Sequence, residues 1–282
     1  MSADGNVSLR SSETYVINRE GGVLSAGGNV SLTSDADHIA NHAGGTISAG
    51  NDVIAVAATN ANNRGEILAA GSVNYTAANQ LNNYGVIDAT GDINLTAVDD
   101  FVHNRPEGVI TAGGNIELSA GRHITNGLDG VIEAGGDLFA EALGTTFNNY
   151  GAVTVVGDAT ITAAGNVNLA ADTSFTVGRV ADFTAGARVN DFGALNAGAI
   201  AFTADRVDTR RDDNYTLNGF VEANSYVALV GGSFNVTEGS VLDISDAEQA
   251  NDINIQAGGL ISNAGVLNTD GTAFLQLSLI HI

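Results

Sequence analysis

The stretch Asn83-Tyr84-Gly85-Val86-Ile87-Asp88-Ala89-Thr90-Gly91-Asp92-Ile93-Asn94-Leu95 contains the two signatures from which the fold follows. The first is an asparagine, a short gap, a glycine, then an apolar residue and a small one. The second is a Gly-Asp or Gly-Asn turn followed by alternating apolar residues. Alternation with period two sends Ile93 and Leu95 to one face and Asn94 to the other, as in a half-buried strand. Glycine and asparagine at the turns take left-handed backbone conformations at low steric cost.

Both signatures recur along the chain. The turn and strand return as Gly5-Asn6-Val7-Ser8-Leu9, Gly28-Asn29-Val30-Ser31-Leu32 and Gly114-Asn115-Ile116-Glu117-Leu118. The apolar residue after the turn falls at positions 7, 30, 53, 73, 93, 116 and 138, in steps of 23, 23, 20, 20, 23 and 22. The asparagine signature repeats from Asn41, Asn63, Asn104, Asn126, Asn149, Asn190 and Asn263. A period of 20–23 residues is one turn of a solenoid. Strands this short cannot bury a face alone. Stacked at ~4.8 Å, each gains a hydrogen-bonded neighbour and closes a continuous apolar column. The expected fold is therefore all-β, a right-handed parallel β-helix with turns of about 20–23 residues.

The interior is expected to hold Val, Ile, Leu and Ala, with Phe rare. The recurrent asparagines, at one register, are expected to stack as a ladder of amides. The single proline, Pro106, falls in a connection, where it deletes no ladder bond. Leucine-rich repeats share the period, but the leucines their consensus needs are missing.

Two stretches depart from the pattern. Residues 170–189 keep alternation but lose the turn signature, and 204–225 carry the densest charge cluster, Asp205 to Asp213. The latter is either a loop ejected from the solenoid or a set of turns with a different cross-section. The expected organisation is one shaft over residues 1–276, less regular at 170–225. Residues 277–282 fit no repeat and are expected to be a non-native tail. Met1 to Asp4 carry neither a basic nor an apolar leader region, and the repeat begins at once, so a fragment of a longer protein is expected.

Composition removes several classes of function. The 10 basic residues are all arginine and stand against 32 acidic ones, giving a net charge of −22. That balance argues against nucleic acid and anionic membrane surfaces as partners. No hydrophobic run approaches the ~18 residues of a membrane-spanning helix, so no membrane insertion is expected. The chain has no cysteine, hence no disulfide and no thiolate metal site.

The Gly-Gly-Asn-Val/Ile-x-Leu turns alternating with Asn-x-x-Gly-x-Ile-x-Ala-Gly resemble the filamentous haemagglutinin repeats of bacterial two-partner secretion exoproteins. The likeness covers about residues 5–276 and is strongest over 20–160. That family includes large adhesins and the stalks of contact-dependent growth inhibition toxins. The resemblance implies a secreted or cell-surface bacterial shaft that presents a distal binding or toxic domain. It implies an outer-membrane two-partner transporter as the export partner, acting through an N-terminal domain absent from this sequence. Host or neighbour-cell glycans and proteins are the surfaces such a shaft would meet.

Candidate sites are few. His38 and His42 are four apart, a metal-binding spacing on a helix but not on strands and turns. His103 and His123 do not share a register. All four read as surface histidines. Asp99-Asp100 and Arg210-Arg211-Asp212-Asp213 are the only clusters suited to the alternative, a carbohydrate-active β-helix enzyme such as a polysaccharide lyase or hydrolase. There is no lysine to act as a base and no tryptophan to support a sugar. Asp52, Asp92, Asp137 and Asp158 recur at turns, where turn propensity explains them without calcium. Sequons at Asn6, Asn29, Asn74, Asn94, Asn214 and Asn235 read as polar positions of half-buried strands. No phosphate loop, no Ser/His/Asp arrangement and no basic-aromatic stripe is apparent. No catalytic, cofactor-binding or metal-ligating residue is expected, and no enzymatic activity.

Overall fold

A computed structural model describes residues 1–212, 215–230, 233–244, 253–269 and 272–277. Strands succeed one another along the whole chain, and no helix occurs among the described residues. Each coil has three strands, one on each of three faces. A representative coil runs Val86–Ala89 on the first face, Ile93–Ala97 on the second and Phe101–Asn104 on the third. The next coil places Val109–Ala112, Ile116–Ala120 and His123–Asn126 directly against them, parallel and in register. The expected parallel β-solenoid is what forms, with about twelve coils.

The coil length of 20 to 23 residues is the sum of two independent corner choices. Through the regular coils up to Ala181 the corner between the first and second faces is constant, four positions from Ala89 to Ile93 and again from Ala112 to Ile116, and it shortens to three from Ala197 to Ile200. Between the third and first faces the chain turns either as Asn83-Tyr84-Gly85 or with two more residues, as in Asn104-Arg105-Pro106-Glu107-Gly108. The longer corner needs a left-handed residue. It is supplied by Gly21, Gly44, Glu107 and Asp129, with φ of 66°, 67°, 63° and 54°. Between the second and third faces the step is four residues (Ala77 to Leu81) or five (Ala97 to Val102). Both short options give the 20-residue coil from Val73 to Ile93, and both long options the 23-residue coil from Ile93 to Ile116. Pro106 sits in one of these long corners, as expected.

Inside, like residues stack. Ile87 pairs with Ile110 and Ile110 with Ile132, while Leu95 pairs with Leu118, and all are buried. Val, Ile, Leu and Ala fill most of the core, as expected, and phenylalanine enters only in the second half of the column, where Phe147, Phe175, Phe183, Phe202 and Phe234 are fully buried. The change is compensatory. Along one interior column Ile116 and Leu138 give way to Ala159 and Ala181, and the vacated volume is taken by the adjacent Phe175 and Phe183, whose centroids are 5.3 Å apart.

The irregular stretch is solenoid, not ejected loop, over its described residues. Strands Ser174–Ala185, Ala194–Arg211 and Gly219–Val230 run round corners that earlier coils make with Gly-Gly turns. The ladders of the second and third faces cross this region unbroken. On the first face pairing stops at Ala194–Ala197. Tyr215–Leu217, Phe234–Val236 and Ile261–Asn263 form a separate three-stranded sheet. Residues 278–282 of the expected tail lie outside the described residues.

The asparagine ladder forms on the inner side of the third-face corner. Asn18, Asn41, Asn63, Asn83, Asn104 and Asn126 each donate from Nδ2 to Oδ1 of the next, ending on Asn149, at 2.8–2.9 Å. Each Nδ2 also reaches two carbonyls. For Asn83 these are Gly85 O at 3.0 Å and Val109 O at 3.0 Å. The ladder stops where Leu169 pairs with Asn149. A second ladder runs along the first-to-second corner. The side-chain oxygens of Asn6, Asn29, Asp52, Ser72, Asp92, Asn115, Asp137 and Asp158 accept the backbone N–H of the coil below at 2.7–3.2 Å. Glycine stands beside most of its rungs, with Asn51 and Arg179 the exceptions. A Cβ at Gly136 would run into Asn115 Oδ1.

Removing a mid-ladder amide orphans buried groups on both sides. Asn83→Ala is expected to cost about 3 kcal/mol in urea denaturation, since Asn104 Oδ1 loses its donor, Asn63 Nδ2 one of its three acceptors, and Gly85 O and Val109 O the Asn83 amide. Asn18→Ala, at the half-exposed start of the ladder, is expected to cost about 1 kcal/mol. Glu107→Gly relieves a left-handed side chain and is expected to raise stability by about 0.5–1 kcal/mol in the same assay.

Candidate functional site

The residue after each ladder asparagine is on the outer edge of the shaft. Hydrogen bonds between coils fix this column. His42 N–H donates to Asn18 O at 2.9 Å, Arg64 N–H to Asn41 O at 2.8 Å, Tyr84 N–H to Asn63 O at 2.7 Å and Arg105 N–H to Asn83 O at 2.7 Å. Arg19, His42, Arg64, Tyr84 and Arg105 therefore line up, one per coil, with Tyr150 two coils further on. The Arg64 guanidinium lies 5.1 Å from the Tyr84 ring centroid, and that of Arg105 lies 5.5 Å from it. Arg105 is held further by Phe101, at 5.6 Å, and by its Nε donating to Asn82 Oδ1 at 2.8 Å. These are cation–π geometries. The expectation of no basic-aromatic stripe is thus corrected. Members 20–23 residues apart are invisible to a linear scan, but reading the position after each repeat asparagine down the coils would have found them.

His103 and His123 also come together. They do not share a register: His123 pairs with Phe101, and His103 with Thr125. The diagonal offset between adjacent strands nevertheless brings their Nε2 atoms to 2.7 Å. Phe101 stacks on both rings, with centroids 4.1 Å from His103 and 5.0 Å from His123. Burial, then the charges of Arg105 and His123, push His103 down to about 4. Burial foremost also lowers His123, with Arg122 and Arg105 adding to the effect and Asp100 opposing it. Both rings are neutral at pH 7, so one Nε2–H donates to the other Nε2 lone pair.

The remaining candidates are dispersed. His38 Nδ1 bonds its neighbour Asp37 at 3.0 Å, and that hydrogen bond holds the Asp37 carboxyl below its ordinary value. His42 belongs to the outer column. Asp100 accepts from Gln80 Nε2 at 3.0 Å and pairs with Arg122 at 3.4 Å. Arg210 lies 5.2 Å over Phe192, lining a cleft of about 1210 Å³ where the first-face ladder breaks. Asp212 and Tyr215 line the same cleft. Five rungs, about 24 Å, separate this cluster from Asp99-Asp100, so the two are not brought together. The Arg211 side chain, Asp213 and Asn214 lie outside what is described.

The turn aspartates Asp52, Asp92, Asp137 and Asp158 spend an oxygen each on the next coil's N–H. A hydrogen bond from Arg179 further lowers the Asp158 carboxyl. Of the sequons, Asn94 Nδ2 donates to Asn74 Oδ1 at 2.8 Å, Asn6 and Asn29 serve the corner ladder, and Asn235 Oδ1 accepts from Ser262 Oγ at 2.7 Å.

The histidine pair makes stability depend on pH. Because the folded protein holds His103 near 4 against an ordinary 6.5, the unfolded chain takes up the proton first as pH falls. The stabilisation is complete above about pH 6.5 and is lost as pH falls towards 4. In metal-free buffer, denaturation at pH 7 and pH 4.5 is expected to show His103→Gln losing about 1 kcal/mol less than the parent, a figure discounted for the pair's partial exposure. Equal losses would contradict the depressed value.

The haemagglutinin repeat family matches the chain over residues 2–97, 47–138, 111–171 and 171–274. No curated protein and no solved structure matches it. The first three matches overlap and follow the coils that the asparagine and corner ladders tie together, and the fourth covers the altered coils beyond them. This chain belongs to the haemagglutinin repeat family.

Proposed function

We propose that residues 1–276 form one repeat shaft of a secreted or cell-surface bacterial exoprotein of the adhesin type, holding a distal binding or toxic domain away from the cell. The observation that carries this reading is the unbroken in-register stacking of coils on two faces, with the asparagine spine from Asn18 to Asn149. About twelve coils at ~4.8 Å make a stiff rod of roughly 55–60 Å, and added repeats lengthen it without changing its section. A net charge of −22 keeps such rods soluble and mutually repelling.

In this reading an outer-membrane two-partner transporter exports the chain unfolded, and stacking of coils proceeds outside the cell. The role is mechanical and adhesive, with no catalysis, no cofactor, no nucleic acid and no membrane insertion. Contact with host or neighbour-cell surfaces falls on the Arg64–Tyr84–Arg105 edge. There an aromatic face can stack on a sugar ring, and two guanidiniums can pair with acidic groups of a glycan or protein.

Two experiments test the two halves of the proposal. Reading the gene through both ends of this chain should find a secretion domain upstream and an outer-membrane β-barrel transporter gene beside it. A gene with neither overturns the two-partner route. Purified chain is expected to bind cultured epithelial or bacterial cells, and the Arg64→Ala, Tyr84→Ala, Arg105→Ala triple variant to bind about tenfold more weakly. Unaltered binding by a folded triple variant overturns the assignment of that edge.

A further inference from the structure

The Nε2 atoms of His103 and His123 face one another at 2.7 Å on the outside of the third face, from adjacent coils. Only one of them carries a proton in the hydrogen-bonded pair. If the donor ring shifts its proton to Nδ1, both Nε2 lone pairs are open to the gap between the rings, whose centroids are 4.8 Å apart, and a tilt of the rings turns them onto one ion. Metal–imidazole bonds of about 2.0–2.1 Å drawn from nitrogens at this spacing enclose an angle of about 80–85°. A tetrahedral ion would need the nitrogens about 3.3 Å apart at that bond length. The pair therefore matches the right-angled edge of a square-planar or tetragonal ion.

We propose that His103 and His123 are a surface chelate for a divalent copper ion, with nickel as the weaker alternative. Copper stands above nickel and zinc in the order of affinity for nitrogen ligands and prefers the tetragonal geometry. The backbone ladder fixes both ligands, and Phe101 stacks on both rings, so little ordering is required on binding.

Among the surrounding charges, Asp100 favours a cation at both rings. Arg122 is paired to that carboxylate, and Arg105 is drawn towards Asn82 and Tyr84. No group of three or more His, Cys, Asp or Glu placed to hold a metal occurs among the described residues, so water completes the coordination. The ion would clip two neighbouring coils from outside, alongside the amide spine within.

The test titrates copper(II) alone into the full chain at pH 7.5, followed by calorimetry and electron paramagnetic resonance. The expected result is one site with Kd below about 100 μM and an axial signal carrying hyperfine coupling from two nitrogens. His103→Gln and His123→Gln should each weaken it at least ~tenfold, while His42→Gln and His38→Gln leave it unchanged. Nickel(II) should bind more weakly than copper, and zinc(II) more weakly than copper. Copper should raise the melting temperature of the parent and not that of His103→Gln, whose fold is checked by circular dichroism without metal. Undiminished binding in His103→Gln, single-nitrogen coordination, or zinc binding as tightly as copper would overturn the proposal.

Discussion

Every coil of this protein ends in a row of unpaired backbone groups that only another coil can satisfy. That edge constraint governs the rest of the structure. A parallel ladder pairs strands one coil apart, so each corner must bring the chain back at the same height and in the same register. The asparagine spine enforces that return from within. Each amide is anchored by the coil on either side, and its two hydrogens serve three acceptors. A shifted register would leave buried amides unpaired along the entire shaft, at a cost that grows with every coil. The corner ladder of side-chain oxygens does the same work on the outside and favours glycine beside it, as at Gly136.

The same constraint explains how coils of different length coexist. In the regular coils up to Asp158 extra residues are admitted at two corners only, and each insertion is closed locally before the next strand begins. The longer corner is closed by a left-handed residue and a hydrogen bond back across the turn, such as Gly108 N–H to Arg105 O at 2.8 Å. The first-to-second corner keeps one length for as long as the oxygen ladder runs and shortens by a residue in the following coil, between Ala197 and Ile200. Where that corner ladder ends, at Asp158, the chain goes over to long strands that bend round the corner, and phenylalanines join the aliphatic core. A wider side chain in one column and alanine in its neighbour keep the interior filled as the cross-section changes.

For function, the important consequence is that stacking converts sequence period into spatial lattice. Residues 20–23 apart become neighbours at ~4.8 Å, and each outward column presents one side chain per coil. On a strongly acidic rod this gathers scarce arginines onto one edge beside Tyr84, and sets two histidines against each other across adjacent coils. Surface features of such a shaft are linear and repeat-borne, unlike the enclosed pockets of globular enzymes. A large cleft arises where the first-face ladder is interrupted.

The sequence by itself determined the solenoid, its period and the amide spine. These depend on residues at fixed spacing within one coil, and the Gly-Asn turn, the alternating strand and the recurrent asparagine are all local signals. It also determined that the dense charge cluster near Asp205 was special, while leaving open whether that stretch was a loop or altered coils. Only the tertiary structure decided what depends on alignment between coils. Phe175 and Phe183 enter the core because alanines elsewhere in the section make room, a compensation no single strand reveals. Arg64, Tyr84 and Arg105 become a stripe because corner lengths differ while the coils stay in register. His103 and His123 meet although they occupy different register positions, because contact across adjacent strands includes the diagonal. The physical reason is common to all three: side-chain neighbours in a solenoid are set by stacking, and stacking is a property of pairs of coils.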